Sequence, residues 1–421
     1  MSPGVAPRVC GYRLGTVTSR RAWTQHRVLG IDAARGLALL GMVAVHIVPP
    51  VTDDGQVSWA FTVAAGRSSA LFAVLAGVGL ALLTRWTSST PQRARRRDRV
   101  AIATRAVLLV LIGLALGEPE SGVAVILVYY GVLFLLALPF LGLSARALAA
   151  WSAGILLVVP ALSHLVRPEI APPTYAVPTI EFANQGWWGV TTELLITGYY
   201  PALAWMAYLL AGLAVGRLDL RSTTAAARLL AGGVALAAGA ALLSHLLLTS
   251  AGGRDVLLAQ TPSLFGRPFD QALDIGLFGT TPTGSWWWLA VAAPHTATPL
   301  DLAGTIGTSL AVLGLFLLIV RRPNPLWMPL IALGGMSLTA YSLHIVLLDG
   351  LLPRSMDNSV LWHVLVLTAG AVLWRLLVGQ GPLEWVTQKV SRWVARLVVP
   401  VHPRDTRPEL PAPLPLSLIH I

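Results

Sequence analysis

Ten apolar runs constrain this chain more than any other feature of its sequence. They lie at residues 29–49, 62–84, 100–117, 121–142, 146–166, 198–216, 226–249, 301–320, 326–348 and 360–379. A helix needs roughly 20 apolar residues to cross the hydrocarbon core of a bilayer. With 55% hydrophobic and only 12% charged residues among 421, the composition is also unlike that of a soluble globular protein. We therefore predict an all-α polytopic membrane bundle of about ten transmembrane helices.

The distribution of arginine predicts how this bundle is oriented. Basic residues concentrate before the first run, at residues 85–99 and 217–228, and after the last run. The loops expected on the opposite side hold only Arg167, Arg254, Arg267 and Arg354. Cytoplasmic loops carry an excess of basic residues, so we expect both termini in the cytoplasm and a multi-pass protein of the plasma (inner) membrane. The net charge of +11 is then an orientation signal, and we expect no nucleic-acid partner.

The chain divides into four predicted parts. Residues 1–26 form a basic cytoplasmic N-terminus, and residues 27–380 form the transmembrane domain. Residues 381–399 combine Trp385 and Trp393 with Lys389, which predicts an amphipathic helix at the inner bilayer surface. Residues 400–421 form a Pro-rich tail that we expect to be disordered. The bilayer is thus an expected partner, and whether several copies assemble is left open.

The first run contains three ionisable residues, which are costly inside a bilayer and therefore point to a function. At about 100° per residue, Asp32, Arg35 and His46 fall within a stripe of roughly 80° on one helix face. Arg35 and His46 are separated by about 16 Å along the axis, which is the scale of an extended cofactor arm.

Other ionisable residues share the depth of His46 at the outer ends of the predicted helices. They are Arg67, Glu118, His295 and His344. A histidine beside a carboxylate can act as a general base, and an arginine can hold an oxyanion. We therefore predict His46, Arg67, His344 and Glu118 as catalytic residues. The alternative for His46 is an interfacial histidine that caps its helix. His164, His245 and His363 are isolated in the sequence, and we interpret them as structural.

The inner end of the first run is the predicted cofactor side. Asp32 and Arg35 lie there, and guanidinium groups suit phosphate. The alternative is a local ion pair in which Asp32 also complements the helix dipole. Tyr129 and Tyr130 lie within the fourth run, where their hydroxyls need partners, and we include them among the cofactor-binding candidates. The single cysteine, Cys10, allows no cysteine-based metal cluster, and we predict no metal site.

The first run resembles the opening of the heparan-α-glucosaminide N-acetyltransferase-like membrane proteins and their YeiB-like relatives. Further similar segments lie at residues 66–82, 125–139, 199–220, 294–315 and 333–344. A more distant similarity is to bacterial membrane enzymes that acetylate envelope sugars, whose first helix carries an Asp-x-x-Arg pair followed by a histidine.

These resemblances imply an acyl donor such as acetyl-CoA at the inner face and transfer to a sugar outside, with His46 catalytic and Arg35 on the donor side. The eukaryotic N-acetyltransferase places its key histidine after the first span, whereas residues 51–65 here contain no histidine. Direct transfer and an acyl-histidine intermediate therefore both stay open.

Our leading hypothesis is an integral membrane acyltransferase that moves an acyl group, most simply acetyl, to the sugar of an envelope glycan or glycolipid. The Arg-, Ala- and Gly-rich composition favours a bacterial source. The alternatives are a transporter or flippase of an envelope precursor, and a membrane protein that only scaffolds partners. Transporters usually bind substrate near the midplane on broken helices. The predicted site residues lie toward helix ends, which favours the enzyme.

Overall fold

The fold is a bundle of apolar helices. The computed structural model describes residues 27–400 except residues 120, 171, 173, 176 and 185. The predicted N-terminal segment 1–26 and residues 401–421 of the predicted tail lie outside the described residues. Within the described part the strands are limited to Ser263–Leu264 and Arg267–Pro268, which form one antiparallel pair. The predicted all-α architecture is confirmed.

Seventeen α-helices are found in the described part of the chain. In chain order they are α1 (Leu29–Ile47), α2 (Trp59–Ala64), α3 (Arg67–Leu83), α4 (Gln92–Gly117), α5 (Leu127–Ala137), α6 (Ala145–Val166), α7 (Ile180–Ala183), α8 (Trp187–Thr192), α9 (Ala202–Gly216), α10 (Thr223–His245), α11 (Gly253–Gln260), α12 (Phe269–Ile275), α13 (Pro299–Ile319), α14 (Met328–Gly334), α15 (Ser337–Asp349), α16 (Ser359–Leu377) and α17 (Pro382–Val398). Short 3₁₀ turns lie at Leu138–Gly142, Arg167–Glu169, Trp286–Ala290 and Pro325–Trp327, and π turns at Glu193–Thr197 and Leu246–Ser250.

Helix length and composition identify seven described helices that can cross a membrane. The count rises to nine if each of two bent pairs is one span: Trp187–Thr197 with Ala202–Gly216, and Pro325–Gly334 with Ser337–Asp349. The predicted run at 121–142 holds a shorter apolar helix, Leu127–Gly142. The described chain therefore supports a multi-pass membrane bundle of seven to nine spans, and the number ten stays a prediction.

Burial separates central helices from peripheral ones. Helices α1, α3 and α9 are buried over most of their length, whereas α6, α10 and α16 expose many leucine and valine side chains. Apolar side chains exposed on long helices are expected where lipid surrounds a protein. The residues predicted to be functional on α1 therefore lie at the centre of the bundle.

The second bent pair breaks beside α1. Helices α14 and α15 meet at an angle of 78°. A Cβ atom on Gly36 of α1 would collide with the carbonyl oxygen of Leu330, and one on Gly334 would collide with that of Asp32. Small residues allow helix backbones in membranes to approach this closely. The break is therefore held in direct backbone contact with the first helix.

Candidate active site

Two histidines meet at one end of the bundle, which we call the His46 end. His46 is in the last turn of α1, and His344 is on the half-helix α15. Nδ1 of His46 lies 3.1 Å from Nε2 of His344, and the two rings stack with their centroids 5.3 Å apart. His344 is fully buried and His46 is partly exposed. One nitrogen of His46 is thus held by its neighbour, while Nε2 is left for a ligand.

A third histidine extends this pair, so His363 is not isolated as we had expected from the sequence. Its ring packs edge-on against His344, with centroids 4.8 Å apart. Nδ1 of His363 lies 3.0 Å from the carbonyl oxygen of Ser359, which requires a proton on that nitrogen. Among the described residues, Nε2 of His363 and Nδ1 of His344 have no hydrogen-bond partner. The two rings pack edge-on, so His363, anchored by Ser359 O, supports the position of the His344 ring.

His46 borders a cavity of about 250 Å³, which we call the polar cavity. Its wall includes His46, His295, Tyr341, Arg267 and Arg354. None of the described residues that line it is an aspartate or a glutamate. The cavity therefore combines groups able to accept a proton with groups able to attract an anion.

His295 is positioned by the start of helix α13. Thr298 caps this helix by accepting a hydrogen bond from Asp301 N, and Asp301 accepts hydrogen bonds from Thr296 N and Ala297 N in return. This arrangement is similar to a capping box, with the acceptor bonds made to the two residues before the cap, and it fixes the loop that precedes the helix. His295 has φ of 55°, a left-handed conformation that is unusual for a residue with a side chain.

The protonation state of His295 follows from its contacts. Its Nε2 lies 3.2 Å from Gly66 N, and an N–H donor requires the ring nitrogen to be unprotonated. Burial lowers the pKa of His295 from 6.5 to about 4. Gly66 is itself at φ of 69°, which favours glycine there. His295 is therefore neutral at ordinary pH and joins the start of α3 to the start of α13.

The other two predicted catalytic residues do not line the polar cavity. Arg67 is exposed, and its guanidinium donates to the carbonyl oxygen of Thr62 at 2.6 Å. Glu118 is also exposed and accepts a hydrogen bond from Ile180 N at 2.8 Å. The structure therefore brings together His46, His344 and His295, and not Arg67 or Glu118.

At the opposite, Arg35 end, the predicted donor-side pair is present as a local ion pair. Asp32 lies 3.6 Å from Arg35 and 3.0 Å from Arg27. Arg35 also donates to the carbonyl oxygen of Gly334 at 3.4 Å. Its Nη2 is buried without a hydrogen-bond partner. Part of the Arg35 charge is thus satisfied internally, and one donor remains.

Arg105 lies in the same buried region and was not assigned a role from the sequence. It is 5% exposed, and its Nε and Nη2 atoms have no partner among the described residues. Tyr129 and Tyr130 are both buried, and the hydroxyl of each lacks a hydrogen-bond partner among the described residues. The Tyr129 ring also packs against Tyr200, with ring centroids 5.4 Å apart. Buried guanidinium donors without acceptors fit an anionic ligand such as a phosphate. The sequence did contain a signal for Arg105, because an arginine inside a predicted membrane span is costly and therefore points to a function.

Glu384 is a second residue that sequence reasoning missed. It lies in the first turn of α17 and is fully buried, and burial raises the pKa of its carboxyl group. Oε1 accepts hydrogen bonds from Leu338 N at 2.8 Å and Thr339 N at 3.1 Å, and Oε2 lies 2.5 Å from the Thr339 hydroxyl. A carboxylate at a helix N-terminus satisfies free N–H groups and the helix dipole. Glu384 thus caps the half-helix that carries His344.

The carbonyl side of the break is also satisfied by the protein itself. Arg35 donates to Gly334 O, and Arg375 donates to Ile331 O at 3.1 Å. Transporters leave the ends of broken helices available to substrates and ions. Here arginine side chains and a carboxylate occupy them, so the break does not favour a transporter.

No group of three or more histidine, cysteine, aspartate or glutamate side chains that could hold a metal ion occurs in the part of the chain that the structure describes.

The sequence also matches a known protein family. The family model described as heparan-alpha-glucosaminide N-acetyltransferase, catalytic, matches residues 27–248, which is more than half of the chain. The chain belongs to this family. No curated protein matches the sequence significantly. The resemblance predicted from the sequence is confirmed, and the family assignment supports a transmembrane acetyltransferase.

The match to the N-acetyltransferase family covers only part of the site. It includes Asp32, Arg35 and His46, and it ends before His295 and His344. The polar cavity is therefore completed by residues beyond the matched segment.

Proposed function

We propose that this protein is an integral membrane acetyltransferase that moves an acetyl group from acetyl-CoA to the sugar of an envelope glycan or glycolipid. The observation that carries the proposal is the His46–His344 pair, in which His344 holds Nδ1 of His46 while His46 lines the polar cavity. The family assignment supports the same reaction class.

The donor would bind at the Arg35 end. The unpartnered guanidinium atoms of Arg35 and Arg105 would hold its phosphates, because arginine forms strong, directed hydrogen bonds with phosphate. The distance of about 16 Å along α1 matches the length of an extended pantetheine arm. The proposed Arg35 end is cytoplasmic and the His46 end faces outward, as the arginine distribution predicts for a bacterial plasma membrane.

At the acceptor end, Nε2 of His46 would take the proton from a sugar hydroxyl or amine as that group attacks the acetyl carbonyl. The C–S bond of the thioester then breaks, and CoA leaves as the thiolate. His344 would hold the proton on Nδ1 of His46 and stabilise the charge that develops on the ring. In the alternative order, Nε2 attacks the thioester first and an acetyl-histidine forms before the sugar reacts.

The test uses the purified full chain, radiolabelled acetyl-CoA and a membrane extract. We expect label to reach an acceptor with the wild type and not with His46→Ala. His245→Ala is the matched control, because His245 is exposed on α10 and does not line the polar cavity. Equal transfer by wild type and His46→Ala would exclude this mechanism. Trapping label on the wild-type protein in the absence of acceptor would select the acetyl-histidine route.

Transfer to an acceptor that depends on His46 also separates this function from a transporter or a scaffold. A transporter would move label across sealed vesicles without forming a new acetyl product.

A further inference from the structure

A second cavity lies next to the polar cavity and differs from it in chemistry. It has a volume of about 200 Å³, and we call it the apolar cavity. Leu162, Val166, Leu195, Ile196 and Ala204 are among the residues that line it. A cavity of roughly 150 Å³ lined by aliphatic side chains stays dry and binds small hydrocarbons. The apolar cavity is therefore suited to a segment of hydrocarbon chain.

The apolar cavity lies at a flank of the bundle that faces lipid. Helix α6 forms one side of it, and this helix exposes Leu157, Val158, Leu162 and Leu165. Such side chains on a membrane-spanning helix contact acyl chains. A hydrocarbon chain could thus enter from the bilayer without crossing water.

The two cavities share a wall that is one backbone layer thick. Three pairs of consecutive residues form it, and in each pair the first residue lines the polar cavity and the second lines the apolar cavity: Tyr200 and Pro201, Phe278 and Gly279, His295 and Thr296. Gly279 N donates to His295 O at 2.8 Å, which joins two of these segments. Consecutive Cα atoms are about 3.8 Å apart, so a ligand head in one cavity lies close to the other.

The arginines at this end support an anionic ligand. Four arginines lie in the loops at the His46 end, and one of them, Arg254, forms an ion pair with Asp270 at 2.6 Å. Arg267 and Arg354 line the polar cavity, and Arg167 lines the apolar cavity. In the part of the chain that the structure describes, none of these three forms an ion pair. Arg167 contacts Ser163 Oγ at 3.1 Å and Thr281 O, and both are neutral groups. Three of the four loop arginines thus place positive charge without an ion pair at the two cavities.

We infer that the acceptor is a lipid-linked sugar phosphate, with its hydrocarbon chain in the apolar cavity, its phosphate near Arg167 and its sugar in the polar cavity. This inference rests on the proposed function and narrows its acceptor to one chemical class. A free glycan would leave the apolar cavity without a ligand. An uncharged glycolipid would leave the arginines unpaired.

The first experiment detects the binding site without any acetyl transfer. The full chain in neutral phosphatidylcholine nanodiscs is photolabelled with dodecyl phosphate that carries a diazirine at the end of its chain. We expect label on the residues of α6 that line the apolar cavity. Unlabelled dodecyl phosphate should compete at a concentration roughly tenfold lower than dodecanol, because the phosphate adds a charged contact.

Variants of α6 provide a matched comparison. Leu162→Trp places a larger side chain at the cavity, whereas Leu165→Trp changes a similarly exposed leucine that does not line it. We expect Leu162→Trp to lose most of the labelling and Leu165→Trp to keep it. Arg167→Gln should remove the preference for dodecyl phosphate over dodecanol. Label spread evenly along the lipid-facing helices, or equal effects of the two tryptophan variants, would overturn the inference.

A second measurement separates this inference from the proposed function. After reaction of the wild type with labelled acetyl-CoA and membrane extract, we expect the product in the organic phase, and mild acid should release it from its lipid. Acetylated product only in the aqueous phase would overturn the inference while leaving the acetyltransferase intact. Specific photolabelling without acetylated product in either phase would reject the proposed function and leave the lipid phosphate site standing.

Discussion

Nδ1 of His46 lies 3.1 Å from Nε2 of His344, although 298 positions separate the two residues in the sequence. Since one of these nitrogens must carry the shared proton, the pair fixes how the His46 ring is oriented. His46 also lines the polar cavity. The buried histidine on a half-helix therefore determines what the histidine on the first helix can do.

The first prediction concerns His344. We expect His344→Ala to lower kcat for acetyl transfer roughly a hundredfold or more, because His46 loses the group that orients it and shares its proton. The binding of acetyl-CoA at the opposite end should change little. Steady-state transfer of labelled acetyl groups measures both kcat and the KM for acetyl-CoA. An unchanged kcat would remove His344 from the mechanism.

His363 should act on catalysis through His344. Ser359 O holds Nδ1 of His363, and the His363 ring packs edge-on against the ring of His344. We expect His363→Ala to lower kcat about tenfold with little effect on the KM for acetyl-CoA. His363→Gln should recover part of the loss, because the amide N–H can also donate a hydrogen bond to Ser359 O. If His363→Ala merely unfolded the protein, acetyl transfer would be lost at every acetyl-CoA concentration, and His363→Gln would not restore it.

Glu384 should matter for both stability and rate. We expect Glu384→Ala to destabilise the protein by about 1–3 kcal/mol, because it leaves the N–H groups of Leu338 and Thr339 buried without an acceptor. Thermal unfolding in detergent measures this loss. Glu384→Gln keeps one acceptor oxygen and should recover most of the stability and of the transfer rate. Full activity of Glu384→Ala would show that the cap does not position His344.

Arg105 tests the donor side. We expect Arg105→Gln to raise the KM for acetyl-CoA roughly tenfold, because the substitution removes the guanidinium that would contact a phosphate of the donor. The KM for the acceptor should stay the same. Arg96→Gln on the exposed start of the same helix is the matched control. Equal effects of the two substitutions would argue for a general electrostatic role of the basic residues at the Arg35 end.

His295 predicts a pH dependence of stability. Its pKa falls from 6.5 to about 4 on folding, so between these values the unfolded chain binds a proton that the folded protein does not. The contribution of neutral His295 to the free energy of unfolding is therefore complete above pH 6.5 and decreases as the pH falls toward 4. We expect the melting temperature in detergent to fall over this interval, and less steeply in His295→Gln. An identical pH profile for the variant would contradict this assignment.

The sequence predicted the helices and the family, because the length of apolar runs and the cost of buried charge are local properties. It placed His46 and His344 at one depth for the same reason. It could not show that Arg67 and Glu118 turn to neighbouring backbone groups, since this depends on which helices are adjacent. The capping of α15 by Glu384 was hidden because its partners lie 45 and 46 positions away in the sequence.

The close contact between Gly36, Gly334 and the backbones that face them has a practical consequence. A break whose two sides are held by packing against another helix does not depend on lateral pressure from lipid to keep its shape. Extraction into detergent should therefore leave the angle between α14 and α15 unchanged. Detergent-solubilised protein is then suitable for spectroscopy on the His46–His344 pair. A substitution as small as Gly334→Ala should change the geometry of that pair, although Gly334 does not contact it.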